Sequence, residues 1–100
     1  MRLTRFTDYS IRVLIYLGQN NESRVTIQQI SDVYGISKNH LMKVVSNLTR
    51  LKLVAAQRGP GGGIQLNCAP EDIKLSEVIK NTEKHLSTKK TSFNNSILFY

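Results

Sequence analysis

The sequence predicts a mainly α-helical fold with one small β-hairpin, arranged as a winged helix-turn-helix. Three observations predict it. Two amphipathic helical patterns follow one another across a short turn containing Gly35, two short apolar runs flank the glycine-rich segment Arg58 to Gly63, and no acidic residue occurs from Val33 to Pro70. That acid-free stretch holds Lys38, Lys43, Arg50, Lys52 and Arg58. At 100 residues the chain is the size of one small domain, because a chain this short rarely holds two hydrophobic cores. Fourteen Lys and Arg against seven Asp and Glu give a formal charge of +7, and 40% apolar residues are too many for a disordered polycation. Such a chain should fold and meet a polyanion.

The first helix is predicted from Thr7, an N-cap residue type followed by Asp8 in the first turn, with Ile11, Leu14, Ile15 and Gly18 at helical spacing. It should end between Gly18 and Asn21. Val13 and Leu17, with Tyr9 and Tyr16, make a second apolar side. A helix apolar on two sides packs one against its own domain and offers the other to something else. The expected occupant is a second copy of the chain, held through Val13, Tyr16 and Leu17 and joined by Ile97 to Tyr100.

The second helix opens at Thr26, where Thr26-Ile27-Gln28-Gln29 has the spacing of a capping box. Ile27, Ile30 and Val33 or Tyr34 form its expected buried stripe, and Gly35 suits the left-handed residue that ends a helix. The third helix starts with Ser37 as N-cap and carries Leu41, Val44, Val45, Leu48 and Leu51 on its inner side. Leu53 to Ala56 reads as a short strand, Arg58 to Gly63 as a hairpin tip, and Ile64-Gln65-Leu66 as the returning strand. Pro70-Glu71-Asp72 makes a turn, and Leu75 to Thr82 reads as a fourth helix with Val78 and Ile79 inward. Residues 1–86 are expected to form one winged-helix DNA-binding domain, and 87–100 an irregular, poorly ordered tail.

In this architecture the third helix enters the major groove and the hairpin tip lies along the backbone or minor groove of duplex DNA. Ser37, Lys38, Asn39, His40 and Lys43 occupy the first two turns of that helix; Lys donates to guanine O6 or N7, and Asn pairs bidentately with adenine. Arg50 and Lys52 suit phosphates, Thr26 and Gln28 open the preceding helix, and Arg58 with Gly61 and Gly62 forms a wing offered to a narrow minor groove. The glycine run is no phosphate loop, since a strand follows it where Lys then Ser or Thr is required. The single cysteine, Cys68, excludes an internal disulfide framework and any metal site built from several cysteines of this chain. His40 and His85 are isolated, no nucleophile stands beside a base at motif spacing, and no enzyme is expected. The longest apolar run, Val13 to Leu17, falls far short of the ~20 residues of a membrane span, so no membrane partner and a cytoplasmic location are expected.

Met1-Arg2-Leu3-Thr4, Phe6-Thr7-Asp8-Tyr9 with Arg12, Leu14, Ile15 and Tyr16, the turn Asp32 to His40, and the wing Arg58-Gly59 to Gly63-Ile64-Gln65-Leu66 together resemble the NsrR-type repressors of the IscR-like winged-helix family. The resemblance covers residues 1 to about 86. It implies a homodimer on a palindromic operator, repressing genes of nitric-oxide detoxification, with an iron–sulfur cluster ([2Fe–2S] or [4Fe–4S]) whose attack by nitric oxide releases the DNA. It implies recognition-helix roles for Ser37, Asn39, His40 and Lys43, a wing role for Arg58, and a cluster-ligand role for Asp8. The family pattern continues into a loop with three ligand cysteines and a long dimerisation helix, neither of which this sequence carries; Cys68 lies before that loop. The sequence from Ser87 onward reads as a truncated or diverging end. No cofactor is therefore expected for this chain, a cluster-free regulator with the same DNA-binding parts is an alternative, and so is a winged-helix protein-interaction module. Self-association is expected to be weak.

Overall fold

The structure, a computed structural model, describes residues 3–83. Its elements are α1 (Arg5–Gln19), α2 (Ile27–Tyr34), α3 (Lys38–Arg50), β1 (Val54–Gln57), β2 (Gly63–Leu66), a single 3-10 turn (Pro70–Asp72) and α4 (Leu75–Thr82). The expected irregular tail, His85 and Ile97 to Tyr100 lie outside the described residues.

Each of the first three helices begins on a side-chain cap. Thr26 and Gln29 form the reciprocal capping box that opens α2, and Ser37 accepts from the His40 backbone N–H to open α3. Gly35 ends α2 in the left-handed region at φ 69°, which glycine adopts without a Cβ penalty and which lets α3 begin three residues later. The cap of α1 differs from expectation. Thr4, not Thr7, holds that position and accepts from the Thr7 N–H, so the helix starts earlier and Thr7 becomes fully buried.

Thr7 is buried because α4 covers it. The Glu83 carboxylate accepts from the Thr4 N–H at 3.1 Å, from the Thr4 hydroxyl at 2.5 Å and from the Thr7 hydroxyl, while Thr7 and Thr82 Oγ1 lie 2.7 Å apart. Buried hydrogen bonds contribute on the order of 0.5–1.5 kcal/mol each net, and leaving a buried partner unpaired costs about 1–3 kcal/mol. They tie the start of α1 to the end of α4, residues nearly 80 positions apart in sequence.

The core lies between the four helices and the hairpin. Val13, Leu17, Ile30, Leu41, Val44, Leu48, Val54 and Val78 are all buried to 2% exposure or less. Burying one such side chain contributes roughly 1.5–3 kcal/mol before entropy is counted. This overturns the expectation for α1. Val13 and Leu17, read as a face for a partner, belong to the domain's own core, while Ile15, read as core, is 51% exposed. On α2, Val33 is likewise exposed and Tyr34 takes the half-buried place beside the core.

β1 and β2 pair antiparallel, with Val54 opposite Leu66 and Gln57 opposite Gly63. The first strand begins one residue later than the apolar run suggested, because the chain first leaves α3 through a left-handed residue, Lys52, at φ 66°. The second begins one residue earlier, at Gly63. Val25, just before α2, bridges to Ile64 from the other edge and fixes the wing to the helix-turn-helix.

Candidate nucleic-acid interface

Packing of Leu41, Val44, Val45 and Leu48 against the core determines which side of α3 faces outward. At 3.6 residues per turn, Asn39, Lys43, Ser46 and Arg50 fall on one strip along the outer side, and all four are exposed. His40 borders this strip on one flank and Met42 on the other. Lys38, Lys43, Arg50, Lys52 and Arg58 are all exposed, and among the described residues none of them is in an ion pair. Five unneutralised cations on α3, the turn after it and the wing leave a positive field on that face.

The flanks of α3 have different surroundings. His40 is half-buried, its ring edge-on to Tyr9 of α1 with centroids 4.7 Å apart and planes at 72°. On the other side Lys38 and Val45 line a cleft of about 420 Å³ between α3, the start of α2 and the wing. Thr26, Gln28, Arg58 and Gly62 line the same cleft. Five of the residues expected to face DNA thus converge there, from three separate elements.

Several of these side chains already have partners. The Ser37 and Thr26 hydroxyls serve as helix caps, Gln28 Nε2 donates to Asp32 Oδ1 at 2.8 Å, and Arg50 Nη2 donates to Asn47 Oδ1 at 2.5 Å. Lys38, Asn39, Lys43 and Arg58 are exposed. At the wing tip Gly61 is exposed and Gly62 half-buried. A Cβ at Gly62 would run into the Gln57 carbonyl oxygen, so glycine is required there for the chain to turn back on itself. Met42 was missed by sequence reasoning, as was the left-handed backbone of Lys52, whose charge alone had been noted. An apolar residue off the buried stripe of α3 was the available signal for Met42.

Asp8 stands in the first turn of α1, half-buried, and accepts from Arg12 Nε at 3.1 Å. Arg12 also lies over the Tyr34 ring, 5.8 Å from its centroid, and Tyr34 meets Tyr16 edge-on. Among the described residues no three His, Cys, Asp or Glu side chains come together as a metal-binding group, and Cys68 is half-buried beyond β2. The described donors therefore do not fit a cluster, which takes about four protein ligands.

Away from the basic face, Ile11, Leu14, Ile15 and Gly18 of α1 and Pro70, Ile73, Leu75 and Val78 line an apolar groove of about 270 Å³. Ile15 and Leu75 are each more than half exposed on it. No helix among the described residues is long and apolar enough to cross a membrane.

Two adjoining helices with a left-handed glycine between them, a hairpin fastened behind the second, and a basic segment free of acid from Val33 to Pro70 define the winged-helix class of transcriptional regulators. Residues 3–97 match the family described as Rrf2, iron-dependent transcriptional regulator, and the chain belongs to that family. It is 51% identical over 84 residues to the HTH-type transcriptional regulator NsrR of Bacillus subtilis strain 168, covering 83% of this chain and 58% of that protein. It is 54% identical over 84 residues to NsrR of Bacillus licheniformis, covering 83% of this chain and 59% of that one. The chain thus spans less than two thirds of the length of these relatives. Its fold matches the structure of CymR, the global cysteine regulator of B. subtilis, with a TM-score of 0.79 at 25% identity over 83% of this chain and 65% of the other.

Proposed function

We propose that the chain is a sequence-specific repressor that binds duplex DNA, with α3 in the major groove and the wing along the adjacent minor groove. The observation that carries this reading is the convergence of Thr26, Gln28, Lys38, Arg58 and Gly62 on one cleft beside the outward strip of α3, a strip whose own segment, Val33 to Pro70, holds no acid. In the reading, Asn39 and Lys43 reach base edges, Arg50 and Lys52 meet phosphates, and Arg58 enters the minor groove. Ser37 and Thr26 act mainly by holding helix starts, whose free backbone N–H groups suit phosphate oxygens. Residues 1–86 form the DNA-binding unit.

Two copies read a palindromic operator, their recognition helices about one helical turn, ~34 Å, apart. The surface assigned to the second copy is the apolar groove bearing Ile15 and Leu75, in place of Val13 and Leu17. The cluster-free form of regulation is favoured, because Asp8 is paired with Arg12 and, among the described residues, no converging donor set accompanies it. DNA binding should accordingly be indifferent to nitric oxide, and the purified chain colourless. Anaerobic reconstitution that gave a stable visible absorption with two or more irons per dimer would reverse this part.

The test of DNA binding is affinity for duplex DNA measured across salt concentrations. Each neutralised phosphate contributes a slope of about −0.9 to log K against log salt. A steep fall with added salt, and a stronger complex with a sequence enriched from a random duplex pool, are expected. Binding without salt dependence would favour a protein-interaction module.

A further inference from the structure

The outward strip of α3 is polar except at one place. Asn39 offers an amide, Ser46 a hydroxyl, and Lys43 and Arg50 carry cations, whereas Met42 on the strip's flank is a large apolar side chain left 53% exposed. The other large apolar residues with more than half their surface exposed lie elsewhere: Ile15 and Leu75 on the α1–α4 groove, and Val33 on α2. Met42 therefore faces the same surroundings as the basic side chains beside it. On a helix that enters a major groove those surroundings are base edges. They present hydrogen-bond donors and acceptors and a single kind of apolar group, the C5-methyl of thymine.

We propose that Met42 is a specificity-determining residue that packs its side chain on a thymine C5-methyl in the major groove. The assignment rests on the reading of α3 as the recognition helix and names what that helix selects. The side chain suits the task, since an unbranched thioether with three rotatable bonds can settle on a methyl group without a fixed hydrogen-bond geometry. Its place also says where the thymine lies. Met42 borders the strip on the side of Lys38 and Val45, which face the wing across the cleft, whereas His40 on the opposite flank is covered by Tyr9. The thymine accordingly lies in the half-site on the side toward the wing.

The experiment removes the methyl from the DNA and the side chain from the protein in turn. A duplex is first enriched from a random pool with the wild-type chain, and each thymine is then replaced singly by uracil, which differs only by the missing methyl. At one wing-side thymine per half-site the replacement should weaken wild-type binding by about threefold to fivefold, the size of one buried methyl group. Met42→Ala should lose a comparable factor on the thymine duplex and be insensitive to the replacement, while Met42→Leu should stay sensitive. If every uracil duplex affects the wild type and Met42→Ala alike, the assignment is wrong and Met42 belongs to a protein-contact surface. If no duplex is enriched and random DNA binds without salt dependence, the DNA-binding reading falls as well, so the two failures are told apart.

Discussion

The α3–wing face and the α1–α4 groove belong to one small domain and are built on opposite terms. The first gathers exposed cations with no acid on its segment, and among the described residues of α3 and the wing Met42 is the one large apolar side chain left more than half exposed. The second is lined by Ile11, Leu14, Ile15, Pro70, Ile73, Leu75 and Val78 and carries hardly a polar group. A charged face draws a polyanion over a distance and releases it as salt rises. An apolar groove acts only on contact, and salt scarcely weakens it. The two therefore suit two different partners, nucleic acid and a second protein chain, and can be disabled separately.

The sharpest way to break this comparison is on α1, where Leu14 is buried as expected but Ile15 and the pair Val13 and Leu17 exchange the places expected for them. Leu17→Ala should destabilise the domain by about 2–5 kcal/mol, as removing a fully buried Leu leaves a cavity. Ile15→Ala, on an exposed residue, should change stability by less than about 0.5 kcal/mol. It should instead shift self-association, measured by analytical ultracentrifugation. A large loss of stability at Ile15, with none at Leu17, would restore the face expected from sequence and remove the groove from the comparison.

The reversal has a physical cause. Along α1 the run Val13-Leu14-Ile15-Tyr16-Leu17 is apolar at every position, so periodicity could not say which stripe faces the core. That choice is made by distant elements: the Thr4–Thr7–Glu83 bonds fix how α4 lies against α1, and neither residue spacing nor composition encodes them. The α2–α3 unit was legible because its signals are local. Thr26 with Gln29, Gly35 and Ser37 mark the boundaries, and the inner leucines and valines of α3 repeat at helical spacing with polar residues between them. Of the candidate interface, charge and outward position could be read directly. What could not were the use of the Ser37 and Thr26 hydroxyls as caps, the cover of Tyr9 over His40, and the exposure of Met42, all set by packing.

On the basic face, Lys43→Ala should cost on the order of 1–3 kcal/mol on an enriched duplex and little on random DNA, if its ammonium reads a base. Equal losses on both would move Lys43 to the phosphates and leave base reading to Asn39 and Met42. Arg58→Ala should produce a smaller loss, concentrated where the wing meets A·T-rich DNA with its narrow minor groove. Exchanging those base pairs for G·C should weaken the wild type and barely affect the variant. Neither change should alter self-association, since both side chains lie away from the groove lining.

The smallest expected effect tests whether the charged face is also part of the frame. Lys52 belongs to the basic face by its charge, but its backbone sits at φ 66° in the turn that ends α3. There its N–H donates to the Thr49 carbonyl at 2.9 Å, the Leu53 N–H donates to the Leu48 carbonyl at 3.0 Å, and Asn67 Nδ2 donates to the Lys52 carbonyl at 3.1 Å. This paired closure is the usual end of a helix, normally made with glycine, because an L side chain in the left-handed region costs about 1–2 kcal/mol. Lys52→Gly should relieve that cost but return part of it through a freer unfolded chain, for a net gain of about 0.5–1 kcal/mol in urea unfolding. The same variant lacks one cation, so its DNA salt slope should fall by about 1 if Lys52 touches a phosphate. A gain in stability with an unchanged slope would make Lys52 a residue of the turn alone and narrow the DNA face to α3 and the wing. A loss of stability would mean that the turn is held by the lysine side chain, and that charge and frame are joined at this position.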